Sequence, residues 1–158
     1  MTKFGKKKRQ KMSKTDLYSL AKDLLITNKD RAVLLDALSV IQELAYTKDA
    51  NIIKSKIKES IPEKFFELFE SIILTTKSPT DLTKTMSDLQ MFVNNLPVIH
   101  LTIGYTPTRA QIEQLSMRIR ATFNPEALLD YAINHDFALQ IQVDVNGKSF
   151  TKSLENSI

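Results

Sequence analysis

Pro97-Val98-Ile99-His100-Leu101-Thr102-Ile103-Gly104-Tyr105 marks a change in hydrophobic period. Ile99, Leu101, Ile103 and Tyr105 alternate with His100, Thr102 and Gly104, the period of a strand that buries one face. Upstream of Pro97 apolar residues recur at three and four positions, as on a helix, and downstream alternation returns. The chain therefore reads as α+β: a basic tail at 1–12, an all-helical bundle at 13–96 and a small β-α-β-β-β domain at 97–158.

Moving upstream, Ser78 caps a helix with Pro79 at its first position and Leu82, Met86, Leu89 and Phe92–Val93 inward. Pro62 suits the first turn of the helix before it, where its missing N–H has no partner to lose. Phe65, Phe66, Phe69, Ile72 and Ile73 form that helix's expected buried face. Asp49 opens a shorter helix with Ile52, Ile53 and Ile57. Asp30 caps the helix with the widest stripe: Val33, Leu34, Ala37, Leu38, Ile41, Leu44 and Ala45. The first helix starts at Ser13 or Thr15, and Leu17, Leu20, Ala21, Leu24 and Leu25 fall on one face of it. Five amphipathic helices with short connections make a compact bundle.

Downstream, Thr106-Pro107-Thr108 is a turn and cap, and Ile112, Leu115, Met117 and Ile119 mark a helix. Phe137, Leu139, Ile141, Val143 and Val145 alternate with Ala138, Gln140, Gln142 and Asp144 up to Asn146-Gly147, a strong hairpin turn. Residues 148–152 return as its partner strand. Pro125-Glu126-Ala127-Leu128-Leu129 resembles a helix start, yet Leu129, Tyr131 and Ile133 alternate. The strand reading is preferred, because a hairpin plus one strand needs a further partner to cover its apolar face.

At 158 residues and 42% hydrophobic composition the chain can bury a core, as one domain or two small ones. The absence of Cys excludes a disulfide scaffold, a thiolate metal site and a cysteine nucleophile. No apolar run approaches the roughly 18 residues of a membrane span. No export signal is visible, so the mature chain is expected to start at or near Met1. His100 and His135 are the only histidines, and no clustered spacing supplies the three or four ligands zinc requires. The three glycines stand apart at 5, 104 and 147, so no glycine-rich loop cradles a phosphate, and no serine sits in an elbow motif. Scattered carboxylates serve solvation and i,i+4 pairing on helix faces. No catalytic residue, metal ligand or cofactor is assigned, and the chain is expected to work by binding macromolecules.

The net charge of +4 divides unevenly. Lys3, Lys6, Lys7, Lys8, Arg9, Lys11 and Lys14 give the first fourteen residues +7, and the remaining 15 bases face 18 acids. The body is mildly acidic and the basicity is a tail, expected to be disordered. Such a tail is a solvated end, an attraction to anionic membranes or to nucleic-acid phosphates, or a run like a nuclear import signal. Phe4 is its only aromatic, so it offers no base-stacking platform.

The order of elements resembles the delta subunit of bacterial rotary ATP synthases, the oligomycin-sensitivity-conferring protein of mitochondria, over about residues 14–158. Leu20-Ala21-Lys22-Asp23-Leu24 sits where that family has a tyrosine-alanine-x-alanine-leucine signature. Pro97-Val98-Ile99-His100-Leu101-Thr102-Ile103 leading to Thr106-Pro107-Thr108 is similar to its strand, proline turn and helix. Asp136, Asn146-Gly147-Lys148 and Ser153-Leu154 match its last hairpin. The chain departs from the family at Phe137-Ala138-Leu139-Gln140, in place of leucine-isoleucine-glycine-glycine, and at Thr151, in place of an aspartate. It also has five bundle helices for the family's six, and Ile158 ends it before the usual terminal helix.

The resemblance implies a non-catalytic stator subunit. Its helical domain would pack on the N-terminal helices of the alpha subunits, and its C-terminal domain would grip subunit b of the peripheral stalk. The head is thereby kept from turning with the rotor. Association would be peripheral, at the cytoplasmic face of the plasma membrane or the inner mitochondrial membrane. Leu17, Leu20, Ala21 and Leu24 are the candidate contacts, beside a groove next to residues 17–25, although the same stripe also serves core packing. The alternative is an RNA- or ribosome-binding protein with a basic tail, against which the acidic body argues.

Overall fold

The computed structural model describes residues 13–46, 50–137, 140–145 and 147–153, in two compact units. One unit comprises residues up to Leu24 together with Arg31–Asn95, and the other Leu25–Asp30 with the chain from Leu96 onward. The fold is α+β, with the helices preceding a mixed sheet. The tail at 1–12 and Asp49 lie outside the described residues.

The helical unit contains α1 (Lys14–Leu24), most of α2 (Asn28–Leu44), α3 (Ala50–Ser60), α4 (Phe66–Thr75) and α5 (Pro79–Asn94). Helix starts follow reciprocal caps. The Ser13 hydroxyl accepts the Asp16 N–H at 3.1 Å while Asp16 accepts the Ser13 N–H at 3.2 Å. Ser78 accepts from the Asp81 N–H at 3.1 Å, with Pro79 next, as its sequence requires. At α2 the cap is Thr27 rather than Asp30: the Thr27 hydroxyl accepts the Asp30 N–H at 3.2 Å, and Asp30 returns to the Thr27 N–H at 3.0 Å. Asp30 thus sits three residues inside the helix as the acidic partner of the cap. Pro62 precedes a 3₁₀ turn, Glu63–Phe65, before α4 begins.

Burial follows the expected stripes with named exceptions. Leu17, Ala21, Leu34, Leu38, Ile41, Phe65, Leu68, Phe69, Ile72, Met86 and Leu89 are buried. Val33 and Ile52, assigned to buried stripes above, are 43% and 46% exposed. Phe66 and Ile73, expected on the buried face of α4, are half-buried.

The second unit contains β1 (Val98–Ile103), α6 (Arg109–Thr122), β2 (Leu128–Ile133), a 3₁₀ turn at His135–Phe137, β3 (Gln140–Val145) and β4 (Lys148–Ser153). The sheet runs β2-β1-β3-β4, with β1 parallel to β2 and antiparallel to β3. The segment that admitted helix or strand is strand β2, and it joins β1 through the α6 crossover. Thr108 and Gln111 close a capping box that starts α6. Met117, expected inward, is 67% exposed because Ser116 takes the buried position between Ile112 and Ile119. Phe137 belongs to the 3₁₀ turn, so β3 starts later than its alternation indicates. Gly147 has φ +79°, and nothing lies within 4 Å of where a Cβ would stand; backbone conformation, not space, selects glycine there.

Ile99, Leu101, Ile103, Ile119, Ala127, Leu129 and Val143 form the core of this unit, with Tyr105, Leu115 and Tyr131 packed against it. Residues 25–30, placed in the bundle by the sequence, group with the sheet for a visible reason. The Leu129 N–H donates to the Ile26 carbonyl at 2.9 Å, and Thr27 bridges Leu129 in parallel. Arg120 donates from Nη2 to the Leu25 carbonyl at 2.6 Å and from Nε to the Ala127 carbonyl at 2.9 Å. Arg120→Met keeps an apolar stem but removes these charged donors, so it should lower the unfolding free energy by about 2 kcal/mol. Urea unfolding checks this, and an unchanged midpoint would show that the two carbonyls are satisfied without the guanidinium.

Candidate functional site

The helical unit presents an apolar cleft on its surface, of about 250 Å³, lined by Lys54, Ile57 and Lys58 of α3 and Phe66, Glu70, Ile73 and Leu74 of α4. Its origin lies in the composition of α4. Phe-Glu-Leu-Phe-Glu-Ser-Ile-Ile-Leu-Thr carries six large apolar side chains in ten residues, and only Leu68, Phe69 and Ile72 are buried. The other three, Phe66, Ile73 and Leu74, turn toward the surface, and Leu74 is 47% exposed. Lys54 and Lys58 stand one turn apart on the α3 wall, and Glu70 stands on the α4 wall. An apolar floor between charged rims is the form of a groove that receives an amphipathic helix.

The four residues chosen from sequence do not assemble into such a surface. Leu17 is 1% and Ala21 0% exposed, so both are core. Leu20 and Leu24 are half-buried. Tyr18, on the same helix, stacks on Phe92 of α5 with ring centroids 4.4 Å apart. Lys14 pairs with Asp88, which Lys84 approaches at 3.4 Å. The hydrogen bond from Lys14 holds the Asp88 carboxyl below the ordinary carboxylate range and the Lys14 ammonium above its own. These contacts fasten α1 to α5 and use the surface that would otherwise be available.

In the second unit the sheet face opposite the core is polar. Strand register sets His100 beside Asp130 on β2 and Asp144 on β3. His100 Nδ1 lies 3.0 Å from Asp130 Oδ2, with both side chains exposed. Asp144 accepts from the Ser149 hydroxyl and, at 3.1 Å, from the Gln142 amide. Those two bonds, with a smaller contribution from neighbouring His100, hold the Asp144 carboxyl below the usual range. His135 is exposed in its 3₁₀ turn, away from this row in sequence. Among the described residues no group of three or more His, Cys, Asp or Glu could hold a metal ion, and no helix is long and apolar enough to cross a membrane. A comparison with models of known protein families and with curated proteins finds no match.

Two outcomes follow from these placements. Leu17→Lys should abolish cooperative thermal unfolding, because it buries an unpaired charge, whereas Leu74→Glu should shift Tm by only a few degrees. Circular dichroism melts distinguish them, and a stable Leu17→Lys protein would mean that α1 is not core. Asp144 is depressed in the folded state, so its contribution is complete above the ordinary aspartate pKa of about 3.9 and is lost as pH falls through its lower folded value. Stability should therefore drop less steeply below about pH 4 in Asp144→Asn than in the parent, as read by urea midpoints across acid pH. Parallel acid limbs would contradict the assignment.

Proposed function

We propose that this chain is a non-catalytic connector that joins two macromolecular parts through its two units. More particularly, we infer a delta-type stator subunit of a proton-translocating ATP synthase. In this reading the helical unit docks on the alpha subunits of the catalytic head and the sheet unit on subunit b of the peripheral stalk. The observation that carries the reading is the order of elements, a five-helix bundle leading into β-α-β-β-β with a parallel first pair. The matches at Pro97–Thr108, Asp136 and Gly147–Lys148 fall within that order.

The cleft between α3 and α4 supports the head-binding half. A helix seated there would bury Phe66, Ile73 and Leu74 and would place its flanking acids against Lys54 and Lys58. It replaces the groove beside residues 17–25 as the docking candidate. A stator resists torque by packing, and needs neither a cofactor nor a small-molecule substrate. The chain would then sit peripherally at the cytoplasmic face of the coupling membrane. The RNA-binding reading has less support, because Asp130 and Asp144 occupy the open sheet face where phosphates would lie.

Native mass spectrometry of the tagged full chain with its co-purifying partners tests the proposal. The expected masses are those of the alpha–beta head and of subunit b. The double substitution Ile73→Glu with Leu74→Glu should release the head, retain subunit b and leave Tm within a few degrees. Ribosomal proteins or RNA in place of these partners would overturn the reading. A double variant that folds and keeps the head would remove the cleft from it.

A further inference from the structure

We propose that the outer edge of β2 is a strand-addition site for an extended, acidic segment of a partner polypeptide, which pairs with Tyr131 and Ile133 and meets Lys29. This goes beyond the stator reading and stands independently of the helical cleft. The direction of the strand's hydrogen bonds is visible in three of them. The N–H groups of Leu128 and Asn134 donate inward, to Pro97 and Ile103 of the β1 side, and that of Leu129 donates outward, to Ile26. Backbone alternation then turns the N–H and C=O of Tyr131 and Ile133 outward. The segment at residues 26–27 covers the edge only at Leu129, because Thr27 caps α2 and the chain leaves as helix. Among the described residues no strand lies beyond β2.

The two edges of the sheet are treated differently. The far edge, β4, carries the exposed Lys148, a charge that discourages edge-to-edge pairing. The edge at Tyr131-Ala132-Ile133 carries none, and Ile133 is 40% exposed. Beside it lies a cleft of about 260 Å³ lined by Thr27, Lys29, Leu129, Asp130, Tyr131 and Ile133. An added strand would lie along this cleft and place one apolar side chain against Tyr131 and Ile133. Asp130 also lines the cleft, and its carboxylate Oδ2 lies 3.0 Å from His100 Nδ1. Lys29 is exposed and makes no ion pair among the described residues, so the incoming segment is recognised by a carboxylate. A second copy of this chain fits less well: two residues of open edge cannot supply the roughly 800 Å² per partner of a stable interface.

The test uses the full chain, nitrogen-labelled, and the peptide acetyl-Thr-Val-Glu-Val-Thr-Val-amide. NMR titration should show saturable binding, and amide exchange at Tyr131 and Ile133 should slow by about tenfold in the complex. Ile133→Pro removes an outward N–H without touching the bonds to β1, and should abolish binding while the rest of the spectrum is retained. Lys29→Glu, on an exposed position, should invert the preference so that the same peptide with lysine for glutamate binds better. Absence of saturable binding, protection at Lys148–Ser153 instead, or binding unaffected by Lys29→Glu would each overturn the proposal. Self-association abolished by Ile133→Pro would also overturn it, by assigning the edge to a second copy. None of these outcomes bears on the head-binding test, which reads the α3–α4 cleft.

Discussion

Residues 25–30 are held from three sides, and much of the structure around the sheet depends on that hold. Arg120 donates to the Leu25 carbonyl, the Leu129 N–H to the Ile26 carbonyl, and the Asp30 carboxylate accepts the N–H groups of Ile26 and Thr27. An extended segment carries polar groups that cannot remain unpaired once buried, and Leu25 is fully buried. Asp30 satisfies two of these groups while capping α2, so a single carboxylate both ends the extended run and begins the helix. Arg120 also ties the Ala127 carbonyl that leads into β2, which places the strand, its short cover and the end of α6 in one network. The open length of the β2 edge is set by where Thr27 must turn.

The two candidate surfaces share a physical origin, since each is a place where the chain has more pairing capacity than its own unit consumes. Helix α4 has more apolar residues than the bundle can bury, and strand β2 has more backbone groups than its neighbours pair. Exposed apolar surface costs free energy in water, which makes such surface beside ordered charge a candidate for interaction. By contrast, the polar sheet face pairs its groups internally through His100–Asp130 and the Asp144 cluster.

Much of the fold could be read directly from the sequence. The change of period at Pro97, the Ser78-Pro79 start and the turn at Gly147 have local causes, and local causes survive in the pattern; Asn146 lies outside the described residues. The strand at Leu128–Ile133 is legible from the alternation of Leu129, Tyr131 and Ile133 together with the need for a further partner. The cap at Thr27 is local as well, since Thr27-Asn28-Lys29-Asp30 has the spacing of a reciprocal cap, and reading Asp30 as the cap places the helix start three residues late. The stripe at Leu17, Leu20, Ala21 and Leu24 shows a related limit: Leu17 and Ala21 are core, and Leu20 and Leu24 are half-buried. Leu17 and Ala21 look like any amphipathic stripe, and periodicity does not say which stripe finds a partner inside the bundle. A sharper signal lay in α4, where Phe66, Ile73 and Leu74 add a second apolar face to the one that Leu68, Phe69 and Ile72 already supply.

Because the chain contains no cysteine, a single introduced one is a unique label, and Leu74→Cys places it in the α3–α4 cleft. Photo-crosslinking from a benzophenone at that position, in the assembled complex, tests the central claim most directly. The account predicts one dominant product, joining this chain to the N-terminal helix of an alpha subunit. Crosslinks to RNA or to ribosomal protein, or none from a fully labelled and folded chain, would contradict it.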